Sequence, residues 1–278
     1  MSTTINAADV NKLRQMTGAG MMDCKKALAE SNGDFEAAID FLRKKGQKIS
    51  ANRADRKASE GAVIALTNAE RTKGVVIELN CETDFVAKNE DFVKTARSVA
   101  EAVLEQEPES LEAVQSMSIN GVALSQRLLD EMAKIGEKLE VSKYSILKGN
   151  NIVAYIHAGN RLGVLVQMNN APSEANLQAG RDVAMQIAAM NPVAVDRDGV
   201  DASTIEREME IGREQARAEG KPEAMIDKIA EGKLQKFFKE STLLQQEFVK
   251  DPSKTVAKML ADVEPGLTVT HFVRVALG

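Results

Sequence analysis

The residues best placed for chemistry lie in one run, Glu78-Leu79-Asn80-Cys81-Glu82-Thr83-Asp84-Phe85-Val86-Ala87-Lys88. It sets a large aromatic in a polar connection, with Asp84 just before it and Lys88 shortly after. Phe85 has two readings: a side chain tucked beneath its own loop, or an apolar anchor presented beside a carboxylate to a partner. The local pattern does not choose between them. Glu82 and Asp84 read as alternating along an extended segment, but paired acids are common on surfaces and specify no reaction. The sequence has no GxxxxGK[ST] phosphate loop, so the chain is not expected to bind or hydrolyse GTP itself. Thr17-Gly18-Ala19-Gly20 is glycine-rich, yet it follows a helix rather than a strand, and Asp23 would repel an anion there. His157 and His271 are isolated, and no nucleophile, base and orienting group occur as a set. Cys24 and Cys81 form no CxxC pair and read as small buried thiols. The expectation is a protein that binds rather than catalyses, without metal or cofactor.

Binding has more candidates. Met21 and Met22 adjoin at a turn, and their adaptable side chains suit partner docking, with Arg14 on the same edge. Ile135-Gly136 ends a helix and reads as a cap contact, and His157 reads as a polar residue in a hairpin turn.

The elements that must carry these residues follow from periodicity and turn chemistry. Residues 1–47 read as a compact three-helix bundle of the ubiquitin-associated type. Val10 and Leu13, with Met16 or Thr17, form the inner face of its first helix. Thr17 to Gly20 end that helix, Asp23 caps the second, and Asp34 opens the third. So small a module buries little surface and suits tethered docking. The charged stretch 48–60 reads as a linker, partly helical. Next comes a repeat. Ala62-Val63-Ile64-Ala65-Leu66, a turn, and Gly74-Val75-Val76-Ile77 lead into a helix with Phe92, Ala96, Val99 and Val103 on one face. Later, Ile152 to Ile156, a turn, and Gly163 to Val166 lead into a helix carrying Val183, Ile187 and Met190. Each copy is an antiparallel hairpin plus a helix, and its apolar sheet face needs a covering layer.

Two related subdomains sharing one core are expected, at 61–147 and at 148–190 with 240–278. Third strands are drawn from Leu139 to Ile146 and from Leu267 to Val275. Residues 191–239 read as a projecting helical hairpin with Gly220-Lys221-Pro222 at its tip. Ile205, Met209 and Ala216 are placed against Met225, Ile229 and Leu234. The fold class is α+β.

A net charge of −5 argues against broad nucleic-acid binding, and Arg43-Lys44-Lys45 and the basic residues of 48–57 read as a solvated face. No secretory signal is recognisable at the start, and no apolar stretch of about 20 residues would span a bilayer. A soluble cytosolic protein is expected.

Two gap-free runs carry a family likeness: the Glu78–Lys88 stretch, and Leu13-Arg14-Gln15-Met16-Thr17-Gly18-Ala19-Gly20-Met21-Met22-Asp23-Cys24-Lys25-Lys26-Ala27-Leu28. Both resemble signatures of bacterial translation elongation factor Ts, and the likeness extends over most of the chain. The resemblance implies a guanine-nucleotide exchange factor for elongation factor Tu. It implies that Asp84 and Phe85, flanked by Thr83 and Val86, intrude near the magnesium and switch region of that partner. Arg14, Met21 and Met22 would grip the partner from another side, with Ile135, Gly136 and His157 also facing it. It further implies a homodimer through the helical hairpin. Some family members continue into a C-terminal helical module; this sequence stops at Gly278, so contacts from such a module are not expected of it. The competing class is a non-exchange scaffold whose bundle binds ubiquitin-like or RNA partners; it would leave both signatures unused.

Overall fold

A computed structural model describes residues 5–278, with Ala158 described by its backbone alone. The first four residues of the expected bundle lie outside that range. Three helices come first: α1 (Ala7–Thr17), α2 (Met21–Glu30) and α3 (Phe35–Asn52). Strands β1 (Glu60–Thr67) and β2 (Lys73–Cys81) form a hairpin, followed by a single helical turn, α4 (Asp84–Ala87), and the long α5 (Glu90–Gln106). Then come α6 (Leu111–Ser116), the short strands β3 (Ser118–Ile119) and β4 (Val122–Ala123), α7 (Leu124–Ile135) and β5 (Glu140–Lys148). The second half repeats the plan with β6 (Ile152–Ile156), β7 (Leu162–Met168) and α8 (Glu174–Met190). It then inserts α9 (Ala202–Ala218) and α10 (Glu223–Ser241), and closes with β8 (Glu247–Phe248), β9 (Asp251–Thr255), α11 (Val256–Val263) and β10 (Val269–Ala276).

The architecture is α+β, with two small antiparallel sheets ordered β1-β2-β5 and β6-β7-β10. Side chains alternate across a strand, and here both faces are covered. Val75, Ile77, Leu79 and Cys81 point outward under α5, α6 and α7, together with Phe92, Val99 and Val103. Val63, Ala65 and Val76 point the other way and meet Ile152, Leu165 and Val275 of the second sheet. Burial on both sides explains why these strands read as continuous apolar runs rather than as alternation. Two glycines let the sheets approach. A methyl group on Gly74 would come within 2.7 Å of Ile152 and 3.1 Å of Leu165; one on Gly163 would come within 2.8 Å of Val63 and 3.1 Å of Val76. Superposing the hairpin registers matches Val63 with Ile152 and Val76 with Leu165, so the two contacts are reciprocal, as in a two-fold pair.

Several local expectations are corrected. Helix α2 begins at Met21 with Gly20 at its N-cap, so Asp23 lies inside the first turn and pairs with Lys45 at 2.6 Å instead of capping. Of the alternatives Met16 or Thr17, Met16 is exposed and Thr17 is the half-buried one, beside the buried Val10 and Leu13 of α1. The helical part expected of the linker is the last turn of α3, which runs to Asn52; α3 packs on α7, where Gly46 lies against the Leu129 carbonyl and Ala133. In the inserted pair, the buried stripe of α10 is Ile226, Ala230, Leu234 and Phe238; Met225 is exposed and Ile229 is only partly covered. The reason is Gly212 on α9, which brings the helices so close that a methyl there would sit 3.0 Å from Ala230 Cα. Among the described residues, no helix is long and apolar enough to cross a membrane.

Candidate partner-binding surface

Strand β2 ends at Cys81, and the chain leaves the sheet through Glu82 and Thr83. Thr83 is still extended, and its side chain accepts a hydrogen bond from the Val86 N–H, which starts α4 at Asp84. The extended alternation expected of Glu82 and Asp84 therefore stops at Thr83. Successive residues of a helical turn point about 100° apart, and this decides the fate of Phe85. Val86 and Ala87 pack against the first core, so Phe85 is turned outward and is 83% exposed. The tucked reading is excluded. Asp84 stands beside it, paired with Lys88 at 2.6 Å; the hydrogen bond from that ammonium holds its carboxyl below the usual range and keeps it charged at neutral pH.

Ile135 and Gly136 end α7. Gly136 takes a left-handed conformation (φ 81°), and its N–H caps the helix on Met132 O. A methyl there would touch nothing, so backbone conformation rather than space selects glycine. The next residue, Glu137, reaches back to the presented turn. Its carboxylate accepts from the Glu82 and Thr83 N–H groups, both at 3.0 Å, and from the Thr83 hydroxyl at 2.6 Å. Ile135 and Gly136 thus adjoin Thr83 through this side chain. Sequence reasoning missed Glu137; its partners are 54 and 55 positions away, beyond the reach of any local pattern. Cys81 lies beneath, donating to Thr83 O at 3.2 Å. Burial, then the nearby Glu137 charge, pushes its thiol up to about 12, so it is an inert structural group.

His157 begins the turn between β6 and β7, with Nδ1 3.0 Å from the Tyr155 hydroxyl. That turn is pinned by Arg161 to Glu60 at 2.5 Å, and Glu60 is the register partner of Cys81. His157 is therefore carried to the same end of the first sheet. Arg14, Met21 and Met22 stay on the bundle, exposed, the two methionines at 51% and 74%. Their link to the rest is the α1–α2 turn: Gly18 packs on Lys134, where a methyl would meet Cε at 3.0 Å, one residue before Ile135. The arrangement offers an apolar projection beside a carboxylate, a flexible methionine pair and a second-sheet turn, all arrayed around the end of α7. Among the described residues, no group of three or more His, Cys, Asp or Glu is placed to hold a metal ion.

The family model described as elongation factor TS matches residues 82–278, beginning at the presented turn. The chain is 52% identical over 276 residues to elongation factor Ts of Cytophaga hutchinsonii, covering 99% of each. It is 52% identical over 275 residues to that of Flavobacterium psychrophilum, again covering 99% of each. For elongation factor Ts of Porphyromonas gingivalis the identity is 44% over 279 residues, with 100% of this chain and 99% of the relative covered. These relatives span the N-terminal bundle as well as the sheets. With a turn, a two-sheet core and a bundle that all have counterparts along these lengths, the chain belongs to the elongation factor Ts family of translation elongation factors.

Proposed function

We propose that this chain acts in the cytoplasm as a guanine-nucleotide exchange factor. It binds elongation factor Tu loaded with GDP and promotes GDP release by stabilising the nucleotide-free state, with no covalent chemistry of its own. The observation that carries this reading is Phe85, exposed on a short helical turn beside an ionised Asp84. An exchange factor works by binding the empty partner more tightly than the loaded one, and nucleotide must weaken its binding by the same factor. A shift of ~10⁴-fold needs about 5.5 kcal/mol of differential contact. Burying one Phe contributes roughly 1.5–3 kcal/mol, so Phe85 cannot act alone. The load is shared. Phe85 wedges a partner helix aside while Asp84 disturbs the magnesium shell, with Thr83 and Val86 shaping their turn. Arg14, Met21 and Met22 grip from the bundle, and Ile135, Gly136 and His157 complete the contact. The α9–α10 pair supplies a homodimer contact.

Stopped-flow release of fluorescent GDP from elongation factor Tu tests this. Acceleration by sub-stoichiometric chain is expected. Phe85→Ala should lower the maximal release rate about tenfold or more, the scale of one buried Phe, with a smaller loss in half-saturating concentration. Equal losses in both would remove the wedge, and no acceleration by the folded wild-type chain would remove the exchange reading.

A further inference from the structure

The presented turn is held by a reciprocal clasp of two carboxylates. Glu137 accepts from the Glu82 N–H, the Thr83 N–H and the Thr83 hydroxyl. In return Glu82 accepts from the Lys138 N–H at 2.8 Å, the residue after Glu137. Each side chain thus bonds the backbone that carries the other. The second element of the clasp reaches the bundle. Arg53, just past the end of α3, binds both oxygens of Glu82 at 2.7 and 2.6 Å. Lys138 Nζ donates to the carbonyls of Ala54 and Arg56, at 3.2 and 3.4 Å. Residues 53–56 are therefore fastened to Glu82 and to Lys138, the neighbour of Glu137. Burial of Glu82 opposes its charge, but the Lys138 N–H and Arg53 outweigh it and hold its carboxyl below the usual range.

We infer that Glu137 and Glu82 are positioning residues for Phe85: they fix the backbone from which it projects and tie that backbone to the end of the N-terminal bundle. The physical reason is the shortness of α4. A four-residue turn lacks the hydrogen bonds to hold itself in water, since nucleating a helical turn is unfavourable. Its entry must be fixed from outside, and hydrogen bonds to an ionised carboxylate are the strong kind available. Neither acid need touch the partner. The inference rests on the exchange reading above, and deepens it by naming what aims the wedge.

The test compares wild type, Glu137→Ala, Glu137→Gln, Phe85→Ala and the Phe85→Ala/Glu137→Ala pair, each as the full chain. Two readouts are taken: amide hydrogen exchange across residues 82–87 of the free protein, and GDP release titrated to saturation. Glu137→Ala is expected to lose amide protection at 82–87 while the strands keep theirs. Its maximal release rate should fall about tenfold, the scale of one hydrogen bond to a charged group, with little change in half-saturation. Glu137→Gln, which keeps an acceptor for both N–H groups, should recover most of the rate. The double variant should be no slower than Phe85→Ala, because both act on one element. Unchanged protection in Glu137→Ala would overturn the clasp. Lost protection with undiminished release, or additive losses in the double variant, would overturn the positioning role. A wild-type chain that fails to accelerate release defeats the exchange reading instead, while the amide readout still decides the clasp.

Discussion

The connection from β2 to α5 and the connection from β7 to α8 occupy the same place in the two halves of a repeat, yet they are built oppositely. The first, residues 82–89, contains an extra helical turn and exposes Phe85. The second, residues 169–173, is shorter and stitched down by its own side chains. Asn169 donates to Gly266 O and accepts from the Thr268 N–H, both at 2.8 Å, and Asn170 donates to Glu264. In the first loop Glu82 is likewise spent on Lys138 and Arg53, but Glu137 arrives from outside to accept from Glu82 and Thr83, and Asp84 and Phe85 face outward. In the second, the loop's own polar groups are consumed in holding it. The scaffold is duplicated; the outward-facing aromatic is not, and the two loops differ in where their hydrogen bonds come from.

The sharpest way to break this contrast is to exchange the loops. Replacing residues 82–89 with Asn-Asn-Ala-Pro-Ser, the sequence of 169–173, should reduce GDP release to the unassisted rate while the circular-dichroism spectrum stays folded. A graft that still accelerates release would place the exchange surface elsewhere.

The next largest effect concerns what the halves share. Gly74 and Gly163 make reciprocal contacts across the sheet interface. Gly163→Val should lower unfolding free energy by about 1–3 kcal/mol in urea titration, the usual cost of overpacking, with the presented turn untouched. A neutral result would mean that the sheets can part locally, and that the reciprocity is not a constraint.

The smallest effect distinguishes the ends of the two long helices. Helix α5 closes on Glu107 and α8 on Asn191, both left-handed, with φ 49° and 45°. Asn tolerates that conformation well, whereas Glu does so here with its carboxylate bound by Lys148 and Lys73. Those two ammonium groups, Lys148 first, lower Glu107 from 4.5 to about 2. Because the folded value is the lower one, its stabilising contribution is fully present above about 4.5 and is lost as pH falls toward 2. Glu107→Gln should therefore flatten that part of the acid-unfolding curve slightly, since the group is exposed and screened. The second half, with its uncharged Asn191, has no counterpart to this dependence.

Much of this was legible along the chain. The two hairpins, their third strands, the Asp34 cap and the helix stop at Gly136 all follow from short apolar runs bounded by turns, side-chain capping and left-handed glycine, which act within a few residues. The signature around Phe85 marked the turn that the structure leaves exposed. What periodicity misread were contacts set by close approach. Gly212 against Ala230 chose which stripe of α10 is buried, and Gly46 against Leu129 lets α3 lie close on α7.

By itself, then, the sequence determined the repeating α+β plan and the identity of the residues on the presented turn, because propensity and periodicity are local. Tertiary structure alone decided that Phe85 faces outward. That required Val86 to find the core beneath it, and Glu137, more than 50 positions away, to arrive at Thr83. Packing and hydrogen bonding between segments distant in sequence fix direction, and direction decides whether an aromatic residue is covered or exposed.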